Sequence, residues 1–390
     1  MITISTVADA FKTFYKPVII DQMNTRVNPF YARIEKNSEE VFGSTIKMAM
    51  RYGVNGGVGN RAEDGDLPSP NNRKYKQAEY ETKNLFGTLR ITEKSIRASA
   101  SSAGAFTKLL ETELDGLMQD AKINFGRQLF GDGTGKLATT AAVTSQTTIG
   151  VDSVQYLIEG QVVDILDQTG ETVKVSAREI TSVDRATKTI SIAGDAVTTL
   201  ATDIIAINGS YGLELTGLGK IFATSGTIYG LDRATYKWLI PTITTSIGII
   251  SDIKIKKGFH EAEIVADSTP DFILTSHGVE RSYYEYLETT KRNINTMKLT
   301  GGYSAISFDN KPLVSDKFCP AGNMYLLNSA DFILHQMGEW DWLDRDGSIF
   351  KQTANKAAWD AVLVKYGDLG CRKPIGQVQL TGITEDDGIA

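Results

Sequence analysis

Apolar side chains recur at three- and four-residue steps through Phe106, Leu109, Leu110, Leu114, Leu117, Met118, Ala121, Phe125 and Leu129. That is the period of a helix burying one stripe. Ser101 or Ser102 can cap its start, and Gly131 suits its end. About 28 residues at 1.5 Å each make a rod of roughly 40 Å. Upstream the spacing changes. Residues 46–52 and 75–92 are rich in Thr, Tyr, Leu and Phe and read as the two strands of a long hairpin. Between them, 53–73 carries Gly53, Gly56, Gly57, Gly59, Gly65, Pro68 and Pro70 with Asn55, Asn60, Asn71 and Asn72. Such a composition buries no core and predicts a mobile tip. Strands this long exceed what an isolated ribbon stabilises in water, so a partner surface is implied, in the same chain or a neighbour. A long rod beside a long hairpin predicts a flat, extended subunit.

Residues 1–43 mix Phe11, Phe14, Tyr15, Val18, Ile19 and Ile20 with Pro17 and Pro29. Prolines interrupt regular structure, so this stretch reads as an arm that is ordered only along something else. From about 144 to 208 the pattern turns to short β segments at 161–166, 172–177, 180–183 and 189–192. Turns such as Gln168-Thr169-Gly170 and Ala193-Gly194-Asp195 separate them. Close-spaced short strands between a helix and later mixed sequence predict an inserted β-barrel or sandwich. Beyond about 220, helices and strands mix. A helix is expected at 249–266, a buried strand at 271–275, and a helix capped by Ser276 running through Tyr283, Tyr284 and Leu287. A second buried strand is expected at 324–328, and closing strands at 361–366 and 377–380.

Composition narrows the function classes. The 390 residues suffice for two or three domains, with 41% hydrophobic and 23% charged residues, ordinary for a globular protein. Net charge is -6, from 41 Lys and Arg against 47 Asp and Glu. This argues against a protein that grips nucleic acid, though not against one that encloses it. The two cysteines, Cys319 and Cys371, form no disulfide framework or Cys-x-x-Cys and read as buried, reduced thiols of a cytoplasmic product. Residues 1–10 lack a secretory pattern, and no run reaches the length of a membrane span.

Candidate chemistry is sparse. His260, His277 and His335 stand at no metal-binding spacing. Gly131-Asp132-Gly133-Thr134-Gly135 follows a helix instead of opening one and lacks the lysine of a phosphate loop. Asp341, Asp344 and Asp346-Gly347 imitate a calcium loop, but Trp342 and Thr353 stand where ligands belong. Trp340, Trp342 and Trp359 read as packing, with a sugar platform as the minority reading. No Gly-x-Ser-x-Gly elbow occurs. No catalytic, cofactor-binding or metal-ligating residue is assigned, and the chain is not expected to be an enzyme.

The order of elements carries more than any motif. The Asn28-Pro29-Phe30 segment, the 46–92 loop, the 106–130 helix, and Lys311-Pro312-Leu313-Val314-Ser315-Asp316 with Met324-Tyr325-Leu326-Leu327-Asn328 resemble the major capsid protein of tailed bacteriophages. That family has the α+β Hong Kong 97-like fold. The resemblance covers nearly the whole chain except the β insertion, which departs from the minimal family plan. It implies an N-terminal arm (1–43), an extended loop (44–93) lying across an adjacent subunit, and a peripheral domain with a spine helix (94–143). An inserted β domain (144–210) follows, then more peripheral domain (211–249), an axial domain clustering at five- and six-fold axes (250–358) and peripheral closing strands with a tail (359–390). It further implies pentamers and hexamers closing an icosahedral shell around double-stranded DNA without tight specific binding, and no membrane partner. With only about 43 residues before the loop, a separate scaffolding protein is expected, besides a portal and, as an option, a decoration protein. One family member welds its shell with Lys–Asn bonds. Lys74 and Lys76 stand near the loop tip, but nothing local marks the Asn or an activating Glu, and solvated lysines are the default. Two other readings stay open: an encapsulin-type bacterial compartment of the same fold, and a carbohydrate-binding β-rich surface protein. Three expectations follow for the structure: a loop stabilised by a neighbour, an insertion that is self-contained on the outer face, and weak DNA binding.

Overall fold

The computed structural model describes residues 28–94, 103–290, 296–298, 304–344 and 349–385. Most of the expected arm, 1–27, and Asp346 of the acidic turn lie outside them. The described fold is α+β, built on two mixed sheets, a barrel and a ribbon.

One six-stranded sheet is organised by the 14-residue strand Ala358–Cys371. Lys83–Thr92 pairs antiparallel with it from Ala358↔Thr92 to Gly367↔Lys83. Phe332–Gln336 takes its other end, from Phe332↔Cys371 to Gln336↔Gly367. Glu35–Asn37 then adds in parallel at the edge, through Glu35↔Ile333 to Asn37↔His335. The helix Ala103–Gln128 shares a core with this sheet. Its Leu114, Met118 and Phe125 are buried with Leu85, Leu89, Leu363 and Trp340, and each such burial is worth about 1.5–3 kcal/mol. Phe125 meets Tyr31 and Trp340 edge-on, at 5.2 and 5.8 Å between ring centroids.

A second, seven-stranded sheet separates two cores. Its order is Thr242–Thr244, Val378–Leu380, Met324–Leu327, Phe272–Thr275, Lys311–Ser315, Ser304–Phe308 and Thr296–Lys298. Successive side chains of a strand point to opposite faces. Phe272, Leu274, Tyr325 and Leu327 therefore enter the core of the long helix. Ile273, Met324 and Leu326 enter a second core, closed by Ile255 and Ala262 of Asp252–Ala266 and by Val279, Tyr283 and Leu287 of His277–Thr290. Burial on both faces is why 272–275 and 324–327 are unbroken apolar runs.

The long helix ends in a backbone junction. The last carbonyls of a helix lack intrahelical partners. Here Leu129 O, Phe130 O and Gly131 O accept from the N–H groups of Leu218, Gly219 and Lys220 at 2.8, 3.2 and 3.3 Å. The short helix Leu218–Ile221 thus starts where the long one stops, and the two backbones touch at Gly217.

The insertion is a closed barrel. Its strands run Lys136–Thr139, Ile204–Ile207, Val162–Leu166, Val173–Asp184, Thr189–Ile192 and Thr148–Gly150. A Thr140↔Val151 bridge and Ala141 N–H to Gly150 O at 2.7 Å join the last to the first. Leu137, Ile149, Val163, Ile165, Ile180, Ile190 and Ile205 fill it. Entry and exit are adjacent, with Gly212 N–H donating to Thr134 O at 2.7 Å. Gln155 Nε2 donates to the carbonyls of Lys317 and Cys319, both at 2.9 Å, and the Tyr156 hydroxyl to Phe318 O at 2.7 Å, tying barrel to body. Replacing 136–208 by a short Gly/Ser linker is expected to leave a folded body. It should be destabilised by those three bonds at about 0.5–1.5 kcal/mol each, as thermal unfolding followed by circular dichroism will report. An insoluble or unfolded product would show that the barrel is needed for the body to fold.

Four sequence expectations need correction. Residues 75–92 are two strands, because Thr82 turns away to bond Ser44 O through its N–H at 2.9 Å. Only Lys74–Glu81 pairs with Thr45–Tyr52, while Lys83–Thr92 joins Ala358–Cys371. The insertion begins near 136 instead of 144, since Lys136–Thr139 pairs with Ile204–Ile207. Residues 172–177 and 180–183 are one strand, Val173–Asp184, with irregular register and Ala177 at φ 52°. Finally, the 250–358 division mixes two sheets. Phe332–Gln336, Asp341–Trp342 and Lys351–Gln352 pair with Ala358–Cys371, whereas Val378–Leu380 crosses to the seven-stranded sheet.

Candidate functional site

The ribbon Thr45–Tyr52 and Lys74–Glu81 alternates strictly, with Ile46, Met48 and Met50 buried on one face beside Ala78. That face lies against its own chain. Tyr80 packs on Tyr229 with centroids 4.6 Å apart, Tyr52 stacks on Trp238 at 5.0 Å, and Glu79 N–H donates to Tyr229 O at 3.1 Å. Arg233 holds the supporting segment by donating to the carbonyls of Lys220, Ile221 and Ser225. The expectation of a loop stabilised by a neighbour is thereby corrected for the ribbon. Its buried face is satisfied within one chain. The ladder stops at Tyr52↔Lys74, and beyond it Val54, Val58 and Leu67 are 84–86% exposed.

A cleft of about 1000 Å³ opens between the long helix and the barrel. Phe86, Leu117 and Ile123 line one side and Ile158 the other, with Phe318 at the end where Gln155 and Tyr156 grip the body. Arg185 and Lys188 stand on the barrel wall and Asp120 on the helix wall.

Candidate chemical residues are scattered. His260 is exposed, and His277 Nδ1 meets Ser315 Oγ at 2.8 Å. His335 is buried between the Tyr80 hydroxyl on Nδ1 and Glu40 on Nε2, each at 2.8 Å. Burial lowers its pKa, opposed by the Glu40 hydrogen bond. It joins the end of the expected arm, at Glu40, to the ribbon, at Tyr80. Cys319 and Cys371 are buried free thiols whose pKa burial pushes well up, which leaves them poor nucleophiles. Trp340 and Trp342 are core residues, and Trp359 is half-buried with its indole N–H donating to Glu93 at 3.4 Å, so the three rings present no common exposed face for a sugar. Lys74 is exposed, and Lys76 Nζ sits 5.4 Å from the Tyr236 ring centroid. Gly133 and Gly135, both at φ 82°, carry the chain from helix to barrel. Among the described residues no group of three or more His, Cys, Asp or Glu is placed to hold a metal, and no helix is long and apolar enough to cross a membrane.

Sequence reasoning missed the buried polar residues that fasten the body. Arg127 pairs with Glu214, both buried. Lys365 Nζ donates to Gln336 Oε1 at 2.7 Å, and burial pulls its pKa down to about 8. Asp368 accepts from Thr216 N–H at 2.6 Å, Thr216 Oγ1 at 3.0 Å and Leu369 N–H at 2.9 Å. Burial nevertheless raises its carboxyl to about 7. The unfolded value is about 3.9. A carboxyl raised on folding contributes stability that is complete below the unfolded pKa and is lost as pH rises through about 7. Asp368→Asn keeps the Oδ1 acceptor and should therefore gain on the wild type by about 2–4 kcal/mol between pH 4 and pH 8. Paired urea titrations will measure this, and parallel pH profiles would refute it.

No protein-family model matches the chain, and neither does any curated protein. Solved structures do. The capsid asymmetric unit of cyanophage A-1(L) is 12% identical and superposes with a TM-score of 0.56, covering 95% of this chain and 93% of that one. The holo-SrpI encapsulin complex of Synechococcus elongatus gives 11% identity, 92% and 89% coverage and a TM-score of 0.48. The capsid of Myoviridae phage XM1 gives 9%, 92% and 92%, and 0.45. The fold is the Hong Kong 97-like capsid fold, as the order of elements in the sequence implied, with a barrel inserted.

Proposed function

We propose that this chain is the major capsid protein of a tailed bacteriophage, assembling as pentamers and hexamers into an icosahedral shell around double-stranded DNA. The observation carrying this reading is the match to a cyanophage capsid over 95% of the chain. In this reading the chain catalyses nothing, takes no cofactor, and resides in the virion after assembly in the host cytoplasm. It works with a separate scaffolding protein and a portal, and, as an option, a decoration protein. Electron microscopy of the purified protein, alone and with its scaffold, tests it. Closed icosahedral shells are expected. Dispersed monomers would overturn the reading, and shells filled with a protein cargo would assign the chain to a compartment instead.

A container must also release its contents. Every neutralised phosphate adds salt-sensitive affinity by counterion release, and the -6 net charge opposes it. Isolated subunits are expected to bind duplex DNA no more tightly than the ordinary non-specific range of about 10⁻⁴ to 10⁻⁶ M at physiological salt. Sub-micromolar, salt-resistant binding in an anisotropy titration would contradict this.

A further inference from the structure

We infer that Asn55, in the exposed stretch between the two ribbon strands, is a self-modification site that loses its side-chain amide by cyclising onto the Gly56 nitrogen. The products are aspartate and isoaspartate. The sequence holds one other Asn-Gly pair, Asn208-Gly209, and the fold keeps that pair from the same reaction. Both pairs are exposed, so accessibility does not separate them. What their atoms are bonded to does. The chemistry needs only a folded subunit and water, and so stands or falls apart from the shell reading.

The reaction balances within the chain and one water. The Gly56 nitrogen gives up its proton and attacks Asn55 Cγ. An N–Cγ bond forms, the Cγ–Nδ2 bond breaks, and the amide nitrogen takes up the proton and leaves as ammonia, closing a succinimide ring. Water then opens the ring on either side of the Gly56 nitrogen. Breaking the new N–Cγ bond gives aspartate. Breaking the original peptide bond gives isoaspartate, whose main chain runs through Cβ and Cγ and is longer by a methylene.

The geometry at 55–57 favours attack. Glycine has no Cβ, so its nitrogen closes on the preceding side chain without a clash. Asn60, Asn71 and Asn72 are each followed by a residue that has one. Asn55 Oδ1 accepts from Gly57 N–H at 2.9 Å, which polarises the carboxamide and sets a donor where negative charge develops during attack. Gly56 N–H is committed to no hydrogen bond among the described residues. At the other pair the same groups are clamped. Asn208 Nδ2 donates to Asp164 Oδ1 at 2.7 Å, and Gly209 N–H to Asp164 Oδ2 at 2.9 Å. One buried carboxylate thus fixes both the amide that would leave and the nitrogen that would lose its proton. Modification at Asn55 also has a local cost. A Cβ at Gly57 would lie 3.2 Å from both Asn71 N and Ser69 O, so 55–57 and 69–71 cross closely. An extra main-chain methylene must open that crossing, and either product adds a carboxylate to a stretch already carrying Glu63, Asp64 and Asp66.

Peptide mapping by mass spectrometry tests this on the full-length subunit, incubated at mildly alkaline pH beside synthetic peptides of residues 53–59 and 206–212. The fragment holding Asn55 is expected to convert into two acid forms of equal mass that separate on chromatography, at a rate like that of the free 53–59 peptide. Asn208 should remain an amide in the subunit although the free 206–212 peptide converts. Asn55→Gln should lose the first signal. Asp164→Asn keeps an acceptor for Asn208 but turns an amide towards Gly209 N–H, and conversion at Asn208 should then begin while circular dichroism stays unchanged. An Asn55 that stays intact while the free peptide converts would overturn the inference. So would equal conversion at both pairs. These two readings use the unaltered subunit and decide the matter even where the Asp164 variant does not fold.

Discussion

Deleting residues 54–72 is expected to abolish shell closure while leaving the subunit folded and almost unchanged in stability. The ribbon's ladder and buried face end at Tyr52↔Lys74, so the deletion removes no core residue. Joining Gly53 to Arg73 leaves a two-residue turn, and Gly53 already has φ 69°, as the first position of such a turn requires. Shortening a flexible loop lowers the entropy cost of closing it. The melting temperature should thus move by only what a surface change causes, about 0.5 kcal/mol either way. Sedimentation and electron microscopy would report loss of particles, and scanning calorimetry the retained subunit. Shells of normal size and heat resistance would show that the tip is dispensable.

The largest loss of stability from one added methyl group is expected at Gly217. A Cβ there would sit 2.5 Å from Gly131 O, 2.7 Å from Gly131 N and closer still to Gln128 O. All three are backbone atoms, so relief requires separating the two helices and breaking the N–H to carbonyl bonds that join Leu218–Ile221 to residues 129–131. Overpacking costs typically 1–3 kcal/mol, and loss of the junction bonds adds to it. Gly217→Ala should therefore lose about 3–5 kcal/mol in urea unfolding. Gly116→Ala is the control. That glycine lies in the long helix with nothing within 4 Å of the new Cβ, and alanine there should gain about 1 kcal/mol. Equal effects at both sites would mean that the junction is not rigid.

The two cases mark what can be read from a chain and what cannot. The long helix announced itself through an apolar stripe, and strands 272–275, 324–327 and 189–192 through local runs, because local period decides those elements. Gly217 gives no such signal, since its constraint comes from residues nearly ninety positions upstream. Ala358–Cys371 was expected only at 361–366 because Asp360 on one side and Gly367 and Asp368 on the other interrupt its apolar pattern. Asp360 and Asp368 are half-buried and buried polar residues answered by Arg90 and Thr216. Likewise nothing at Thr82 marks a change of sheet, because its partner Ser44 is fixed only once the ribbon has formed. The cleft was invisible for the same reason: its walls come from stretches of chain far apart in sequence, which only the fold brings together.

The closed barrel has a consequence for crowding. An open sheet ends in unpaired N–H and carbonyl groups, which pair readily with any similar strand brought near. Subunits held side by side in a shell meet one another at very high local concentration. A domain with free edges would there be prone to lock wrong neighbours together through strand exchange. Because the Thr140↔Val151 bridge seals the last strand onto the first, the barrel offers few such edges. In the proposed shell its contacts with other copies would be left to side chains, which can be broken and remade while a misplaced subunit is corrected.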